Sequence, residues 1–248
     1  MSNKPQLKHR QQFEKILTSY KPSDEALKRL DELNIVTLAG PTCAGRNTII
    51  DRLVKKGDFV FFKSDTTRPR RKKDGEYIEF DGDPYWFVSE EQMLQQLENG
   101  QMIEAAIIHN QQVSGASVRE FEKILSDDKI AISEIEPVGV DTYVNILPQT
   151  VAIFVIPPDF DSWIERINNR AKMSDAELKN RLDSALWEFE WAISKPYYHI
   201  VVNDDLESAV KEVEQLSMGK QESAEHHQET VDLVKKLIKK TESKIKSL

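Results

Sequence analysis

The sequence predicts an α/β fold of three layers, in which helices cover both faces of a mainly parallel central sheet. Residues 151–156 form one of several continuous apolar runs, which is the pattern of a parallel strand buried on both faces. Amphipathic segments of helical period lie between these runs along the chain. Strands that alternate with helices are joined by right-handed crossovers, and such crossovers build a parallel sheet.

The first segment, residues 1–33, is polar and has the pattern of two helices. The dipeptide Pro22-Ser23 separates them, because proline ends the first helix and serine can cap the second. Apolar residues at helical spacing mark the first helix at Phe13, Ile16, Leu17 and Tyr20, and the second at Leu27, Leu30 and Leu33. We expect this N-terminal helical extension to pack on the central domain or on a partner subunit.

Residues 34–218 form the predicted α/β domain. Its strands are expected at residues 35–39, 59–63, 85–88, 102–108, 129–135, 150–156 and 199–203. Its helices are expected at residues 46–56, 89–98, 117–126, 138–146, 160–170, 174–194 and 205–217.

Residues 219–248 form a Lys-rich C-terminal tail. One apolar stripe of helical period runs along it, at Val231, Val234, Ile238 and Ile245. A basic amphipathic helix can lie on a membrane surface, but this stripe lacks Trp and Phe. We therefore expect a solvated helix, a coiled contact or partial disorder. A homodimer or another protein partner could be bound through the terminal helices.

Composition narrows the class of protein. The chain of 248 residues carries a net charge of −8, so it lacks the basic footprint of nucleic-acid-binding proteins. Its single cysteine, Cys43, excludes an intrachain disulfide and fits a reducing cytoplasm. No stretch approaches the ~20 apolar residues of a membrane-spanning helix, and the first residues lack the apolar core of a signal peptide. We expect a cytoplasmic protein without a membrane span.

The loop Gly40-Pro41-Thr42-Cys43-Ala44-Gly45-Arg46-Asn47-Thr48 lies between a predicted strand and an amphipathic helix. It keeps the frame of a phosphate-binding P-loop, G-x-x-x-x-G-K-S/T, whose glycines let backbone N–H groups face phosphate oxygens. Arg46 stands at the lysine position and keeps its positive charge. Asn47 stands at the hydroxyl position and can offer a carbonyl oxygen to Mg²⁺. The loop therefore predicts phosphate binding, while catalysis stays open.

Seven further segments resemble motifs of guanylate kinases, in the same order along the chain. They are Ser64-Asp65-Thr66-Thr67-Arg68-Pro69-Arg70-Arg71, Tyr85-Trp86-Phe87-Val88-Ser89, Ile103-Glu104-Ala105, Glu134-Ile135-Glu136-Pro137-Val138-Gly139, Ile156-Pro157-Pro158, the set Arg166, Arg170, Ser174, Glu177 and Arg181-Leu182, and Val201-Val202-Asn203-Asp204-Asp205-Leu206. Each segment is a weak signal alone, but their common order over residues 35–217 is specific.

The resemblance implies a P-loop NTP hydrolase-like fold with an acceptor-binding insertion around residues 64–116 and a lid around residues 166–181. It implies a kinase of purine nucleotide metabolism that uses ATP and Mg²⁺. The expected reaction is transfer of the γ-phosphoryl group of ATP to a nucleoside monophosphate, with GMP as the expected acceptor.

The resemblance also assigns roles to side chains. The acceptor nucleotide is expected on Ser64, Arg68, Arg71, Tyr85, Glu104 and Glu136, and the two glutamates would select guanine through its N1–H and N2–H₂ donors. Catalytic arginines are expected at Arg46, Arg166, Arg170 and Arg181. ATP is expected on residues 40–48, Asn203 and Asp204, and Mg²⁺ on Asn47 and, through water, on Glu134.

Some of these assignments have plainer alternatives. The run from Arg68 to Lys73 could be a solvated basic loop, and Glu104 could be a salt-bridge partner at the end of a strand. Arg166 and Arg170 are spaced at i, i+4 and could pair with acids on a helix surface.

Several positions depart from the family pattern. Ser114 and Ala116 align with a phosphate-contacting tyrosine and a hydroxyl residue, and Glu134 and Glu136 align with aspartates. Extra residues lie around 74–83. Three functions therefore stay open: a GMP kinase, a related kinase with a different acceptor, and a non-catalytic nucleotide- or protein-binding module. The retained arginines favour catalysis.

Overall fold

A computed structural model describes residues 7–108, 111–170 and 173–248. The chain forms two compact units. The parallel-sheet unit comprises Asn34–Val60, Ile132–Val144 and Gln149–Leu248. The antiparallel-sheet unit comprises Met1–Leu33, Phe61–Ala131 and Asn145–Pro148. The predicted domain boundaries at residues 33 and 218 stay predictions.

Helices and strands alternate through most of the described chain. The helices are α1 (Arg10–Leu17), α2 (Asp24–Lys28), α3 (Arg46–Lys56), α4 (Glu90–Glu98), α5 (Val118–Ser126), α6 (Pro137–Ile146), α7 (Phe160–Arg170), α8 (Asp175–Ser194), α9 (Leu206–Ser217) and α10 (Ala224–Ser247). The strands are β1 (Ile35–Ala39), β2 (Phe59–Phe61), β3 (Asp65–Thr66), β4 (Lys72–Lys73), β5 (Glu76–Tyr77), β6 (Trp86–Phe87), β7 (Met102–Ile108), β8 (Gln112–Ser117), β9 (Ile130–Glu134), β10 (Val151–Ile156) and β11 (Tyr198–Val202).

The parallel-sheet unit is built on a five-stranded sheet of order β11-β10-β1-β9-β2. Strand β10 pairs in parallel with β1 on one side, Val36 opposite Val151, and with β11 on the other, Ala152 opposite Tyr198. All five residues of β1 are buried. A near-continuous apolar run, interrupted here only by Thr37, is typical of a strand covered on both faces. The predicted α/β fold with a parallel central sheet is confirmed.

Aromatic rings fill the core of this unit. Trp163 of α7 and Phe189 of α8 stand edge to face with their centroids 5.6 Å apart. Phe154 of β10 meets Tyr198 of β11 at 5.7 Å in a similar geometry. Such pairs add to the hydrophobic gain of burying large side chains. The packing fixes both helices against the sheet edge from which the loop after β1 emerges.

The antiparallel-sheet unit contains a four-stranded sheet of order β6-β3-β8-β7. Strand β3 pairs in parallel with β6, whereas β8 is antiparallel to both β3 and β7. At Gly115 the strands approach so closely that an added Cβ would lie 2.1 Å from the Glu104 carbonyl oxygen. Strand β8 therefore depends on a residue without a side chain at this position.

The N-terminal helices pack within this same unit. Phe13 of α1 is buried with Met93 and Leu97 of α4. The Tyr20 hydroxyl donates to the Met102 carbonyl oxygen at 2.7 Å and accepts from the Met102 N–H at 2.9 Å. The predicted second helix is shorter than its apolar stripe: α2 ends at Lys28, because the chain continues in tight turns.

Strands β4 and β5 form a hairpin in the region where the sequence has extra residues. Its two-residue turn is Asp74-Gly75, with φ values of 53° and 89°. Positive φ at both positions is typical of the tight turns that match the twist of a hairpin. The Tyr77 ring lies 4.4 Å from the Arg70 guanidinium and 4.4 Å from the Lys72 ammonium nitrogen. No motif or hydrophobic period in the sequence predicted this hairpin.

The C-terminal tail forms α10, a helix of 24 residues. Val234 and Leu237 are buried in the core of the parallel-sheet unit, and Val231 and Ile238 pack against it. The expectation of a solvated helix or partial disorder is therefore wrong, because the apolar stripe is covered by α8 and β11. No described helix combines the length and apolar character needed to cross a membrane.

Truncation of a buried residue in α10 tests whether this helix belongs to the folded unit. Leu237→Ala should lower the free energy of unfolding by about 2–5 kcal/mol, because it leaves a cavity beside α8. The exposed neighbour Lys236→Ala should change it by less than about 0.5 kcal/mol. Urea unfolding of both variants measures the difference, and equal values would contradict the packing.

Candidate functional site

The loop between β1 and α3 requires both of its glycines. Gly40 has a φ of 141°, and an added Cβ would lie 2.2 Å from the Val155 carbonyl oxygen. Gly45 has a φ of 101°, and its Cβ would lie 2.0 Å from the Asn203 side-chain nitrogen. Side chains other than hydrogen are disfavoured at such φ and blocked by these contacts. The loop therefore keeps its backbone exposed at the N-terminus of α3.

Asn203 holds the loop from the end of β11. It is buried, and its Nδ2 donates to the Ala44 carbonyl oxygen at 2.7 Å. Its own backbone N–H donates to the Ile156 carbonyl oxygen at 2.8 Å. Arg166 Nη2 donates to the Asn203 carbonyl oxygen at 3.0 Å. One residue thus links the loop, strand β10 and an arginine of α7.

Thr42 anchors the other side of the loop. Its carbonyl oxygen accepts from Trp163 Nε1 at 2.8 Å, so the buried core of the unit fixes the loop backbone. Its hydroxyl is 3.5 Å from Arg181 Nη1. Arg181 also donates to Glu177 at 3.1 Å, one turn earlier in α8.

A cavity of about 490 Å³ opens at the N-terminus of α3. Its lining includes the sequence-predicted residues Cys43, Gly45, Arg46, Asn47, Thr48, Glu134, Arg166, Arg170, Asn203 and Asp204. The structure brings together residues from four separate stretches of the chain, because the carboxyl ends of β1, β9, β10 and β11 meet at one edge of the sheet.

The charges of this cavity suit a polyphosphate. Three arginines, Arg46, Arg166 and Arg170, line it together with the N-terminus of α3. A helix N-terminus carries partial positive charge and free N–H groups, so it favours anions. Glu134 Oε2 lies 4.0 Å from Arg46 Nε and offsets part of the positive charge.

The same cavity can accept a magnesium ion that is shared with phosphate. Asn47 and Glu134 both line it and offer oxygen ligands. Mg²⁺ commonly binds through one or two carboxylates and completes its shell with substrate phosphates and water. Among the described residues no cluster of three or more His, Cys, Asp or Glu could hold a metal by itself. The residues therefore fit a metal brought in with nucleotide.

A second cleft, which Thr42 of the loop helps to line, contains a glutamate that was not predicted from the sequence. Thr42, Arg181 and Glu188 line this cleft of about 340 Å³. Arg181 Nε and Glu188 Oε2 are both buried without a hydrogen-bond partner in the described structure. Burial raises the pKa of the Glu188 carboxyl to about 7; the charge of Glu136 adds to this rise and that of Arg46 opposes it.

A signal for Glu188 was present in the sequence. It follows the pattern of α8 residues that face the core, one position before the buried Phe189 and three after the buried Ala185. An acid beside the apolar stripe of a helix is a candidate for a perturbed pKa. No catalytic motif marks it, so the resemblance alone did not find it.

The predicted acceptor residues divide between the two units. Ser64, Arg68, Arg71, Tyr85 and Glu104 lie in the antiparallel-sheet unit, and Glu136 lies in the parallel-sheet unit. Arg68 forms two bonds of 2.8 Å to the buried carboxylate of Glu79. Its guanidinium lies 5.6 Å from the Tyr85 ring.

The alternative of a solvated basic loop does not hold for Arg68, because its side chain is only 17% exposed. The side chain of Arg71, in the same run, is 69% exposed. Arg166 is not part of a surface pair, since it donates to the Asn203 backbone. Glu104 Oε1 accepts from the Ala116 N–H at 3.1 Å.

Ser114 and Ala116, which depart from the family pattern, have identifiable contacts in the structure. The Ser114 hydroxyl donates to Thr66 Oγ1 at 2.8 Å, so a contact within the sheet replaces the expected tyrosine. Ala116 is buried beside Glu104. Within the lid prediction, residues 171–172 lie outside the described residues.

This fold and this cavity define a P-loop protein of the phosphoryl-transfer class. A glycine-dependent loop, a helix N-terminus and three arginines converge at the carboxyl edge of a parallel sheet. That combination provides positioning and charge neutralisation, which are the main needs of phosphoryl transfer.

Comparison with known proteins gives the family. The family profile described as guanylate kinase matches residues 32–219. The guanylate kinase of Corynebacterium jeikeium is 32% identical over 189 residues, which cover 75% of this chain and 97% of the relative. That of Thermotoga maritima is 31% identical over 207 residues, which cover 83% and 96%.

A solved guanylate kinase structure has a similar fold. The crystal structure of guanylate kinase from Anaplasma phagocytophilum matches with a TM-score of 0.52 at 22% identity, over 84% of this chain and 90% of that one. The chain belongs to the guanylate kinase family, as its motifs indicated, and is a nucleoside monophosphate kinase.

The buried Glu188 carboxyl predicts a pH-dependent stability. Its pKa is raised from 4.5 to about 7 in the folded chain. The unfolded chain therefore loses this proton first, and the stability falls as pH rises from 4.5 to about 7. Glu188→Gln should raise the melting temperature near pH 8, and the gain should shrink towards pH 4.5.

Thermal unfolding across this pH range measures the effect. Glu190→Gln is the matched control, because Glu190 is exposed on the same helix. A difference between Glu188→Gln and the wild-type protein that does not change with pH would contradict the proposed burial of the charge.

Proposed function

We propose that this enzyme transfers the γ-phosphoryl group of ATP to GMP and forms ADP and GDP. The observation that carries the proposal is the convergence of Arg46, Arg166 and Arg170 on one cavity at the phosphate loop. Membership of the guanylate kinase family supports the choice of donor and acceptor.

ATP would place its phosphates against the loop at the N-terminus of α3. Backbone N–H groups of the loop and the Arg46 guanidinium would bind the outer phosphates, and Asn203 and Asp204 would border the nucleotide. Asn47 and Glu134 would hold Mg²⁺, which supplies charge neutralisation to the phosphates when bound.

The acceptor monophosphate would bind to the antiparallel-sheet unit through its phosphate. Arg68 and Arg71 offer guanidinium donors, which suit bidentate phosphate contact, and Ser64 and Tyr85 offer hydroxyl groups. Glu104 and Glu136 offer carboxylate oxygens to the N1–H and N2–H₂ donors of guanine. Adenine lacks both donors, so this pair would favour GMP over AMP.

The transfer needs no covalent enzyme intermediate. A phosphate oxygen of GMP attacks the γ-phosphorus, the bond to the β–γ bridging oxygen breaks, and ADP leaves with the electron pair of that bond. Charge on the moving phosphoryl group is spread over its oxygens, so fixed arginines stabilise it. Arg46, Arg166, Arg170 and Arg181 are the proposed stabilising groups.

Turnover of a panel of acceptors tests the activity. With ATP and Mg²⁺, GMP should give the highest kcat/KM for ADP formation among GMP, dGMP, AMP, CMP and UMP. Arg46→Ala should lower kcat/KM by roughly 10²–10³-fold, because it removes a fixed charge at the transferred group. Arg46→Lys should retain activity, since lysine is the usual residue of the loop.

The matched control is Arg52→Ala, an exposed arginine of the same helix whose partner is Glu207 at 3.4 Å. It should leave turnover unchanged. Activity with a different monophosphate alone would favour the related kinase, and ATP binding without ADP formation from any acceptor would favour a non-catalytic module.

Guanine selection by the two glutamates gives a separate prediction. Replacing Glu104 and Glu136 by Gln should lower the ratio of kcat/KM for GMP over AMP by about tenfold or more, because charged acceptors are lost. Glu98→Gln, at the exposed end of α4, is the control. An unchanged ratio would exclude this role.

A further inference from the structure

The cleft beside the phosphate loop contains two polar atoms that are buried and unmatched. It is lined by Thr42 of the loop and otherwise by polar residues of α8. Arg181 Nε is a hydrogen-bond donor and Glu188 Oε2 is an acceptor, and neither has a partner in the described part of the chain. Most buried polar groups in folded proteins are hydrogen-bonded, so an unmatched donor and acceptor in one cleft need an explanation.

Arg181 and Glu188 lie on the same face of α8. They occupy positions i and i+7, and seven residues of an α-helix make about two turns with a rise of about 10.5 Å. Helical side chains lean towards the N-terminus, which carries the Glu188 carboxylate back along the helix towards Arg181. A donor and an acceptor of opposite charge therefore line one small cleft, and both are left unmatched there.

The present partners of Arg181 hold its side chain weakly. Arg181 Nη2 donates to Glu177 Oε1 at 3.1 Å, but the two side chains are 36% and 52% exposed. The contact from Arg181 Nη1 to Thr42 Oγ1 is 3.5 Å long, which is the limit for a hydrogen bond. Exposed ion pairs contribute little to stability, so water can readily replace Glu177. The Arg181 side chain can therefore turn while the backbone of α8 stays in place.

The Glu188 carboxyl is influenced by groups on the elements packed around it. Burial raises its pKa to about 7, the charge of Glu136 before α6 adds to this rise, and that of Arg46 in α3 opposes it. The Tyr198 hydroxyl of β11 is a neutral neighbour: burial raises its pKa, and the charge of Glu188 adds to that rise. A buried charge needs a paired partner, and Arg181 on the same helix can supply one.

We propose that Glu188 is a positioning residue for phosphoryl transfer, and that its carboxylate binds Arg181 Nε when this arginine turns away from Glu177. A carboxylate on the Nε side leaves Nη1 directed at the phosphate loop, where Thr42 Oγ1 lies 3.5 Å from it. This inference rests on the proposed role of Arg181 in stabilising the transferred group. It explains why a buried acid without a partner is kept beside the loop.

Arg181 is a better partner for Glu188 than Arg46, the other arginine whose charge acts nearby. Arg46 lines the nucleotide cavity and has a carboxylate of its own, that of Glu134, at 4.0 Å. Arg46 influences Glu188 through its charge, whereas Arg181 shares a cleft with it. The unmatched Nε also belongs to Arg181.

Glu188→Gln tests the proposal, since it keeps the shape of the side chain and removes its charge. At pH 8, kcat for ADP formation from ATP and GMP should fall about tenfold, because a charge-assisted contact to Arg181 is lost. The KM values for both nucleotides should change by less than about twofold, since the contact serves the transferred group. Glu190→Gln is the matched control on the same helix, because Glu190 is exposed, and it should leave kcat unchanged.

The pH profile gives a readout that a purely structural role would not change. In the wild-type protein, kcat/KM for GMP should rise as pH increases through about 7, because the ionised carboxylate is the form that binds Arg181. The profile of Glu188→Gln should lack this rise, and the ionisation of GMP itself affects both proteins equally. Near pH 8 the same variant should melt at a higher temperature than the wild-type protein, so lower activity should accompany greater stability.

A double-mutant cycle shows whether Glu188 acts through Arg181. Arg181→Met should lower kcat by roughly 10²-fold, because it removes a charge at the transferred group. Addition of Glu188→Gln to Arg181→Met should cause no further loss. Glu188→Asp keeps the charge on a shorter side chain, so its kcat should lie between those of the wild-type protein and Glu188→Gln. If Glu188→Gln does not fold, Glu188→Asp decides the question.

Other outcomes overturn the proposal. An unchanged kcat in folded Glu188→Gln, or a rise in kcat/KM with pH that persists in this variant, would show that transfer does not need the carboxylate. Multiplying losses in the double variant would show that Glu188 does not act through Arg181. If the wild-type protein forms no ADP with GMP, the proposed function fails and this inference falls with it. If the wild-type protein and Glu188→Gln are equally active, only this inference fails.

Discussion

The arginine-lined cavity depends on one close approach, that of the loop after β1 to the ends of β10 and β11. Gly40 lies against the Val155 carbonyl oxygen, and Gly45 lies against the Asn203 side chain, which bonds Ala44 at 2.7 Å. A backbone held from both sides cannot collapse when an anion leaves. Its N–H groups therefore stay oriented without rearrangement, which is the condition for electrostatic stabilisation of a transferred group.

Several arginines of the predicted binding sites are paired with carboxylates. Arg46 lies 4.0 Å from Glu134, Arg181 bonds Glu177, and Arg68 bonds Glu79, so each of these arginines has a carboxylate within its own unit. Such pairs orient a guanidinium and leave part of its donor set for phosphate. The pairs differ in their exposure to solvent: the Glu79 carboxylate is buried, whereas those of Glu134 and Glu177 are exposed.

Sequence patterns predicted the parts of the molecule whose structure is determined locally. Helix α3 and strand β7 coincide with their predicted ranges because their amphipathic or apolar pattern is continuous. Strand β8 escaped prediction because Gln112–Ser117 is mostly small and polar and owes its conformation to its neighbours. The arginines of the loop cavity could be predicted from ordered motifs, whereas the Glu79 contact depends on the register of a hairpin that no motif specifies.

The anchoring of α8 has a consequence for how the site can close. Arg181 is carried by a helix whose inward face is buried from Leu178 to Ala192, with α10 packed against it. A helix held along its length cannot swing as a hinged flap without breaking the core. In the proposed reaction, Arg181 would therefore have to reach the phosphoryl group through movement of its long side chain, while the backbone of α8 stays in place.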